Sequence, residues 1–165
     1  MVLFVLIELE LINFMSYKHA KMLFHSGFNI LFGKKGSGKT AVLEAIRLLF
    51  GGIGKERVQA IAECVRYGEQ KAIIKARLKN IINIGGREIR LLEEHPLDEF
   101  VLERHIYDDG KSVFKLNGKN ISKREILKIL AKVNISPRNI LFFLPQERVN
   151  AVSYTHLTLP TTERV

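Results

Sequence analysis

The run Gly33-Lys34-Lys35-Gly36-Ser37-Gly38-Lys39-Thr40 matches the pattern G-x-x-x-x-G-K-[ST] at every fixed position. Such a loop needs an apolar strand in front of it and a helix behind. Phe28-Asn29-Ile30-Leu31-Phe32 is a compact apolar run, short enough for a buried strand. Residues 41–50 have helical composition, with Val42, Ile46 and Leu49 on one face, and Gly51-Gly52 supplies a stop. The residue types suit a phosphate chain. Gly33, Gly36 and Gly38 let the backbone turn tightly and bring N–H groups onto phosphate oxygens with no Cβ in the way. The helix that starts near Lys39 turns its positive end to the anion. Lys39 would set a point charge on the β- and γ-phosphates, and the Thr40 hydroxyl is placed to ligate Mg²⁺. All eight loop residues are therefore candidate contacts of a nucleoside triphosphate, ATP in the first instance.

Hydrolysis needs more parts. A Walker B carboxylate follows a buried apolar strand, and a polar group must orient water. Ile89-Arg90-Leu91-Leu92-Glu93-Glu94 is the nearest imitation, but Arg90 interrupts it and Pro96 follows. It reads as an exposed strand end. The chain thus reads as able to bind nucleotide and unable to complete a catalytic site alone.

Its 165 residues, 47% of them hydrophobic, suffice for one domain with a real core. The net charge of +9 fits a soluble basic protein or contact with a polyanion such as DNA. With Cys64 as the single cysteine no intrachain disulfide can form, and Cys64 reads as a small buried hydrophobe. The five histidines show no metal-ligand spacing with it. The apolar start, residues 1–7, is far shorter than the roughly 20 residues that span a bilayer. It also lacks a basic n-region, so no membrane partner is expected.

Residues 2–13 read as a strand, as do Met22 to Phe24 after a polar stretch. Residues 53–68 read as a loop with a short helix. Strands at 73–78, 88–92, 100–107 and 112–116 then form an antiparallel meander, with turns at Asp108-Asp109-Gly110 and Asn117-Gly118. Ser122-Lys123-Arg124-Glu125 is a capping box, and the helix behind it sets Ile126, Ile129, Leu130 and Val133 on one face. Residues 140–144 make a last apolar strand. Between 111 and 132 seven cations face one acid, Glu125. Arg124, Lys128 and Lys132 fall on one line along the helix, either a solvated face or a sequence-independent contact with DNA backbone.

Several stretches together resemble the SMC (structural maintenance of chromosomes) ATPases and their RecF-like relatives. Leu11-Ile12-Asn13-Phe14-Met15-Ser16-Tyr17 is similar to that family's opening strand. Residues 28–33 look like its run into Walker A, and Lys115-Leu116-Asn117-Gly118-Lys119 like its NGK hairpin. Asn134-Ile135-Ser136-Pro137-Arg138-Asn139 and Phe143-Leu144-Pro145-Gln146-Glu147-Arg148-Val149 look like the approach to its Q-loop. The wording from Leu144 to Val149 most resembles the SMC-five branch, which acts in DNA repair. Lys35 stands where the family usually has Asn, and Thr40 where Ser is commoner.

The resemblance implies an α/β P-loop NTPase fold, an ABC/SMC-type half-head with an antiparallel β subdomain beside a mostly parallel core. It implies an N-terminal lobe over residues 1–151 that supplies Walker A and the Q-loop to a composite ATP site. The C-terminal lobe of a longer chain would supply the signature motif and Walker B, and two heads would sandwich ATP. Gln146 would ligate Mg²⁺ or its water, and Arg57 stands near the family's DNA-linked R-loop arginine. DNA, a second head and a kleisin-type bridging subunit are the implied partners, on the chromosome in a nucleus or nucleoid. Residues 152–165 resemble a translated sequencing adaptor and read as a non-native tail on a shortened chain. A transporter-type ABC subunit and a stand-alone nucleotide-binding module are the alternatives.

Overall fold

The computed structural model describes residues 6–27, 29–52 and 58–132. Alternation of apolar and polar residues builds the main sheet. β3 (Lys71–Lys79) is the clearest case, with Ala72, Ile74, Ala76 and Leu78 buried and Lys71, Ile73, Lys75, Arg77 and Lys79 on the other face. It lies between β1 (Leu6–Phe14) and β6 (Glu99–Tyr107) in a six-stranded sheet. β2 (Tyr17–Leu23) forms one edge, and β7 (Ser112–Leu116) and β8 (Lys119–Ile121) complete the order β2-β1-β3-β6-β7-β8. A separate hairpin joins β4 (Ile81–Ile84) to β5 (Arg87–Arg90).

The outer face carries a charge ladder. Lys21, Glu10, Lys75, Glu103 and Lys115 stand directly opposite one another across five strands. Flanking pairs reinforce it, such as Lys21 with Glu8 at 3.0 Å and Arg77 with Glu99 at 3.3 Å. Opposite charges on facing positions contribute a few tenths of a kcal/mol each, roughly. Their larger effect is on register, since a one-residue slip would turn this charged row into the core.

Under the inner face lies α1 (Lys39–Leu49), which packs on β3 and β6. Ala41, Val42, Ala45, Ile46, Leu48 and Leu49 are its buried side. Its end is closed by Gly51 N–H on the Leu48 carbonyl at 3.1 Å and Gly52 N–H on the Arg47 carbonyl at 2.9 Å, a Schellman motif. α2 (Val58–Ala62) is short. α3 (Lys123–Ala131) begins at the capping box read from the sequence, with Glu125 N–H on Ser122 Oγ and Ser122 N–H on Glu125 Oε2. It buries Ile126 and Leu130, with Ile129 partly covered, while Val133 lies outside the described residues. The Asn117-Gly118 turn is also as expected, with both residues at positive φ, 49° and 81°, as a two-residue hairpin requires.

Three expectations need correction. The second strand starts at Tyr17, so the polar stretch belongs to it. As an edge strand it buries little and carries Lys18, His19 and Lys21, charges that discourage pairing with another edge. The meander contains two strands that the sequence did not announce, β4 and β8, and β5 stops at Arg90. The run before the loop is not a buried strand. Residues 29–34 join no ladder, and Ile30 and Phe32 are 81% and 90% exposed. An apolar run becomes a buried strand only with strands beside it, and none of the described ladders reaches this one. Every ladder among the described residues is antiparallel, and the apolar run at 140–144 lies outside those residues.

Candidate nucleotide-binding site

The loop ends where α1 begins. Gly38 is the N-cap, at φ 88°, a conformation that costs an L side chain about 1 kcal/mol or more. A Cβ there would also meet the Tyr17 hydroxyl at 2.6 Å, so Tyr17 closes over the cap and only glycine fits beneath it. No side chain caps α1, and no acid stands in its first turn. The first amides of the helix therefore keep the donors that an anion takes.

Lys39 Nζ folds back into the loop. It donates to the carbonyls of Gly33 at 2.6 Å and Lys34 at 2.7 Å, and reaches Ser37 Oγ at 3.3 Å. Ser37 N–H bonds the Lys34 carbonyl at 3.2 Å. The ammonium is thus held at the centre of a ring of backbone. Beside it a cavity of about 240 Å³ opens between the Met15-Ser16 turn and residues 36–41, and none of its lining residues is acidic. A larger cleft of about 790 Å³ lies between residues 91–95, the β7–β8 turn and α3. It mixes Glu93, Glu94 and Glu125 with Lys119 and Lys132 and has no glycine loop, so the smaller cavity is the better match to a phosphate chain.

The Met15-Ser16 turn, which in the sequence is only part of a longer motif, forms one wall. It is fixed from behind: Met15 N–H bonds the Cys64 carbonyl at 2.8 Å, and Arg66 N–H bonds the Asn13 carbonyl at 2.8 Å. Arg66 Nη1 also donates to the Ser16 carbonyl at 2.9 Å. Asn29, just upstream of the loop, accepts from His25 N–H and donates to the His25 carbonyl, both at 2.9 Å. These contacts join residues up to 50 apart, so spacing could not reveal them.

Cys64 is buried, and its thiol is pushed up to about 11, first by burial and then by the Glu44 carboxylate, with Arg104 and Arg47 opposing. Between pH 9 and 11 the unfolded thiol ionises while the folded one keeps its proton, so stability falls as pH rises through that window. At pH 8 the thiolate fraction is about a hundredfold below that of a free thiol. Alkylation of the native chain should be at least that much slower than in denaturant. Equal rates would show that the thiol is open to solvent.

The residues fit a triphosphate: uncapped helix amides, a closely wound glycine loop, and Lys34, Lys35 and Lys39 with no ion pair to an acid among the described residues. A metal ion has less to hold it. Among the described residues no group of three or more His, Cys, Asp or Glu could bind one, so Mg²⁺ would arrive with the phosphates and take Thr40.

Residues 5–140 match the RecF/RecN/SMC N terminal domain. The chain belongs to this family. Structural maintenance of chromosomes protein 5 of Arabidopsis thaliana is 33% identical over 146 residues, which are 87% of this chain and 13% of that protein. A solved structure described as concerning "ATP-driven dimerization and DNA stimulated activation of SMC ATPases" superposes with a TM-score of 0.66 at 26% identity, covering 90% of this chain and 97% of that one. The Smc head domain of Pyrococcus furiosus with an extended coiled coil, bound to the C-terminal domain of ScpA, gives 0.66 at 29% identity over 81% of this chain and 34% of that one. The chain spans only about an eighth of the length of the Arabidopsis protein. These neighbours establish the P-loop ATPase head fold.

Within this SMC-family lobe the remaining candidates are scattered. Arg124 and Lys128 are exposed on α3 and Lys132, its C-cap, is exposed beyond them. Lys132 is engaged, with Nζ 2.7 Å from Glu93 Oε1, and that bond holds the Glu93 carboxyl below its usual value. Arg57 and Gln146 lie outside the described residues, as do residues 152–165. No helix among the described residues is long and apolar enough to cross a membrane.

Proposed function

We propose that residues 1–151 are the N-terminal nucleotide-binding lobe of an SMC-like ATPase acting on DNA in chromosome maintenance or repair, inside the cell and on the chromosome. The observation that carries this reading is the Gly33–Thr40 loop, wound onto an uncapped helix end in a chain of this family. Gly33 to Thr40 would cradle the phosphates of ATP, with Lys39 on the β- and γ-phosphates. Thr40 and Gln146 would share the Mg²⁺, and residues 152–165 take no part.

The other half of the site would come from the C-terminal lobe. Ile30, Leu31 and Phe32, just before the loop, and Leu43, just after it, are all exposed, and large apolar side chains left open in this way are what a partner covers. That supports assembly with a C-terminal lobe, and the solved neighbours support a second head and a kleisin-type subunit at the same level. Calorimetric titration with Mg-ATP tests the reading. The chain should bind ATP with 1:1 stoichiometry and hydrolyse it only after a C-terminal lobe is added. Hydrolysis by the chain alone, or no binding at millimolar ATP, would overturn it.

The basic line on α3, with Arg57 beyond the described residues, is the proposed DNA contact. Arg124→Glu with Lys128→Glu should weaken binding to duplex DNA several-fold at low salt and reduce the salt slope by about two. Lys132 is left out because Glu93 already neutralises it. An unchanged affinity in a filter or anisotropy assay would assign α3 to solvent.

A further inference from the structure

Arg104 takes no part in the loop chemistry, yet it is the most deeply buried cation among the described residues. It stands on β6, 3% exposed, facing the core rather than the charged outer row. No carboxylate among the described residues counters it. Burial accordingly lowers its pKa to about 10, with the Cys64 thiol raising it and Arg47 lowering it further. Its guanidinium lies 4.6 Å from the centre of the Phe114 ring. Nη2 donates to Ser112 Oγ at 3.0 Å, and Nη1 donates to the Leu48 carbonyl at 2.8 Å. Nε is buried without a partner.

The Leu48 carbonyl belongs to the last turn of α1 and already accepts the Gly51 N–H. Satisfying that carbonyl did not need a second donor, and burying an unpaired guanidinium is costly. What the arrangement does supply is a bridge. One planar group joins the end of α1 to β6 and β7 together, with its charge at the negative end of the helix dipole. The opposite end of α1 carries Lys39 and Thr40. A helix of 11 residues is about 16 Å long. Five degrees of play at its C-terminus would move the other end by about 1.4 Å, enough to disturb a bound phosphate by the measure that misplacements near 1 Å matter to catalytic geometry.

We infer that Arg104 is a positioning residue for the nucleotide loop: it ties the C-terminal end of α1 to β6 and β7 and so fixes where the phosphate-binding end stands. The inference rests on reading Gly33–Thr40 as the ATP site, but its direct consequence is mechanical and can be measured without ATP. The test uses the whole chain with Arg104→Met and Arg104→Lys, followed by hydrogen exchange and by titration with Mg-ATP. In Arg104→Met the amides of residues 42–46 should exchange at least tenfold faster while those of β1 and β3 keep their rates, and ATP affinity should fall about tenfold. Arg104→Lys keeps the charge and can reach one of the two oxygens, so both effects should be intermediate.

A merely structural role would speed exchange in β1 and β3 as much as in α1, and that result overturns the proposal. So does unchanged exchange in α1. If Arg104→Met does not fold, the lysine variant decides by the same criterion. If the unaltered chain binds no ATP while Arg104→Met still loosens α1, the tether stands and the ATP reading fails. If the chain binds ATP and neither variant loosens α1 or weakens binding, the tether alone fails.

Discussion

Replacing Lys39 by alanine should lower the affinity of the chain for Mg-ATP by a hundredfold or more and leave its melting temperature nearly unchanged. The lysine is half-buried in the loop and outside the apolar core, so the substitution opens no cavity there. Its ammonium bonds only the loop's own Gly33 and Lys34 carbonyls and the Ser37 hydroxyl, and water can replace it on all three. On the ligand side nothing replaces it. A hydrogen bond to a charged group is worth about 1.5–3 kcal/mol; at about 1.5–2.5 kcal/mol apiece, two such bonds to phosphate amount to about 3–5 kcal/mol. At 1.4 kcal/mol per decade that is a factor of about a hundred to a few thousand. Lys39→Arg should not restore it, because a planar fork cannot enter a ring wound around a point charge. Titration of both variants beside the unaltered chain checks this. An alanine variant within threefold of the unaltered affinity would mean that the phosphates lie elsewhere.

Local chemistry made part of this protein readable. The P-loop, the helix behind it, the capping box at Ser122 and Glu125, and the Asn117-Gly118 turn each involve residues within a few positions of one another. Period-two alternation disclosed β3, β6 and β7 for the same reason. The misreadings came from partners distant in sequence. Ile30 and Phe32 look like core because they are apolar, yet whether a strand is buried depends on what lies beside it. Tyr17 to Lys21 look like a loop because they are polar, yet pairing with β1 makes them an edge strand. Arg104 carries no such local signal, standing in a strand with two glutamates. Only the fold brings Leu48, 56 residues away, to its guanidinium. At the candidate site, the glycine loop is legible in the sequence and its wall is not, because the Met15-Ser16 turn is placed by Cys64 and Arg66.

Asn80→Leu should cost about 3–5 kcal/mol of stability, the largest loss expected from a single uncharged residue outside the apolar core. Asn80 sits between β3 and β4 with no exposure. Its main chain bonds both ways, N–H to the Asp98 carbonyl at 2.6 Å and carbonyl from the Leu91 N–H at 2.8 Å, and leucine would keep these. Its side chain does what leucine cannot. Oδ1 accepts the Leu92 N–H at 2.7 Å, and Nδ2 donates to the Leu97 carbonyl at 2.9 Å, with the Leu92 and His95 carbonyls at 3.3 and 3.4 Å. Leucine fills about the same volume and leaves the part-buried Leu92 N–H and Leu97 carbonyl without their partner, at about 1–2 kcal/mol each, with further loss as residues 91–98 come away from the hairpin. For a domain of this size that is a fall of on the order of 10 °C in melting temperature. None of the residues that line the loop cavity lies between 80 and 98, so the folded fraction should bind Mg-ATP within about twofold of the unaltered chain. Lys39→Ala has the opposite signature, lost binding with stability kept. If both variants lost both properties, the P-loop and the hairpin region would be one cooperative unit, and the separate roles drawn from their contacts would have to be abandoned.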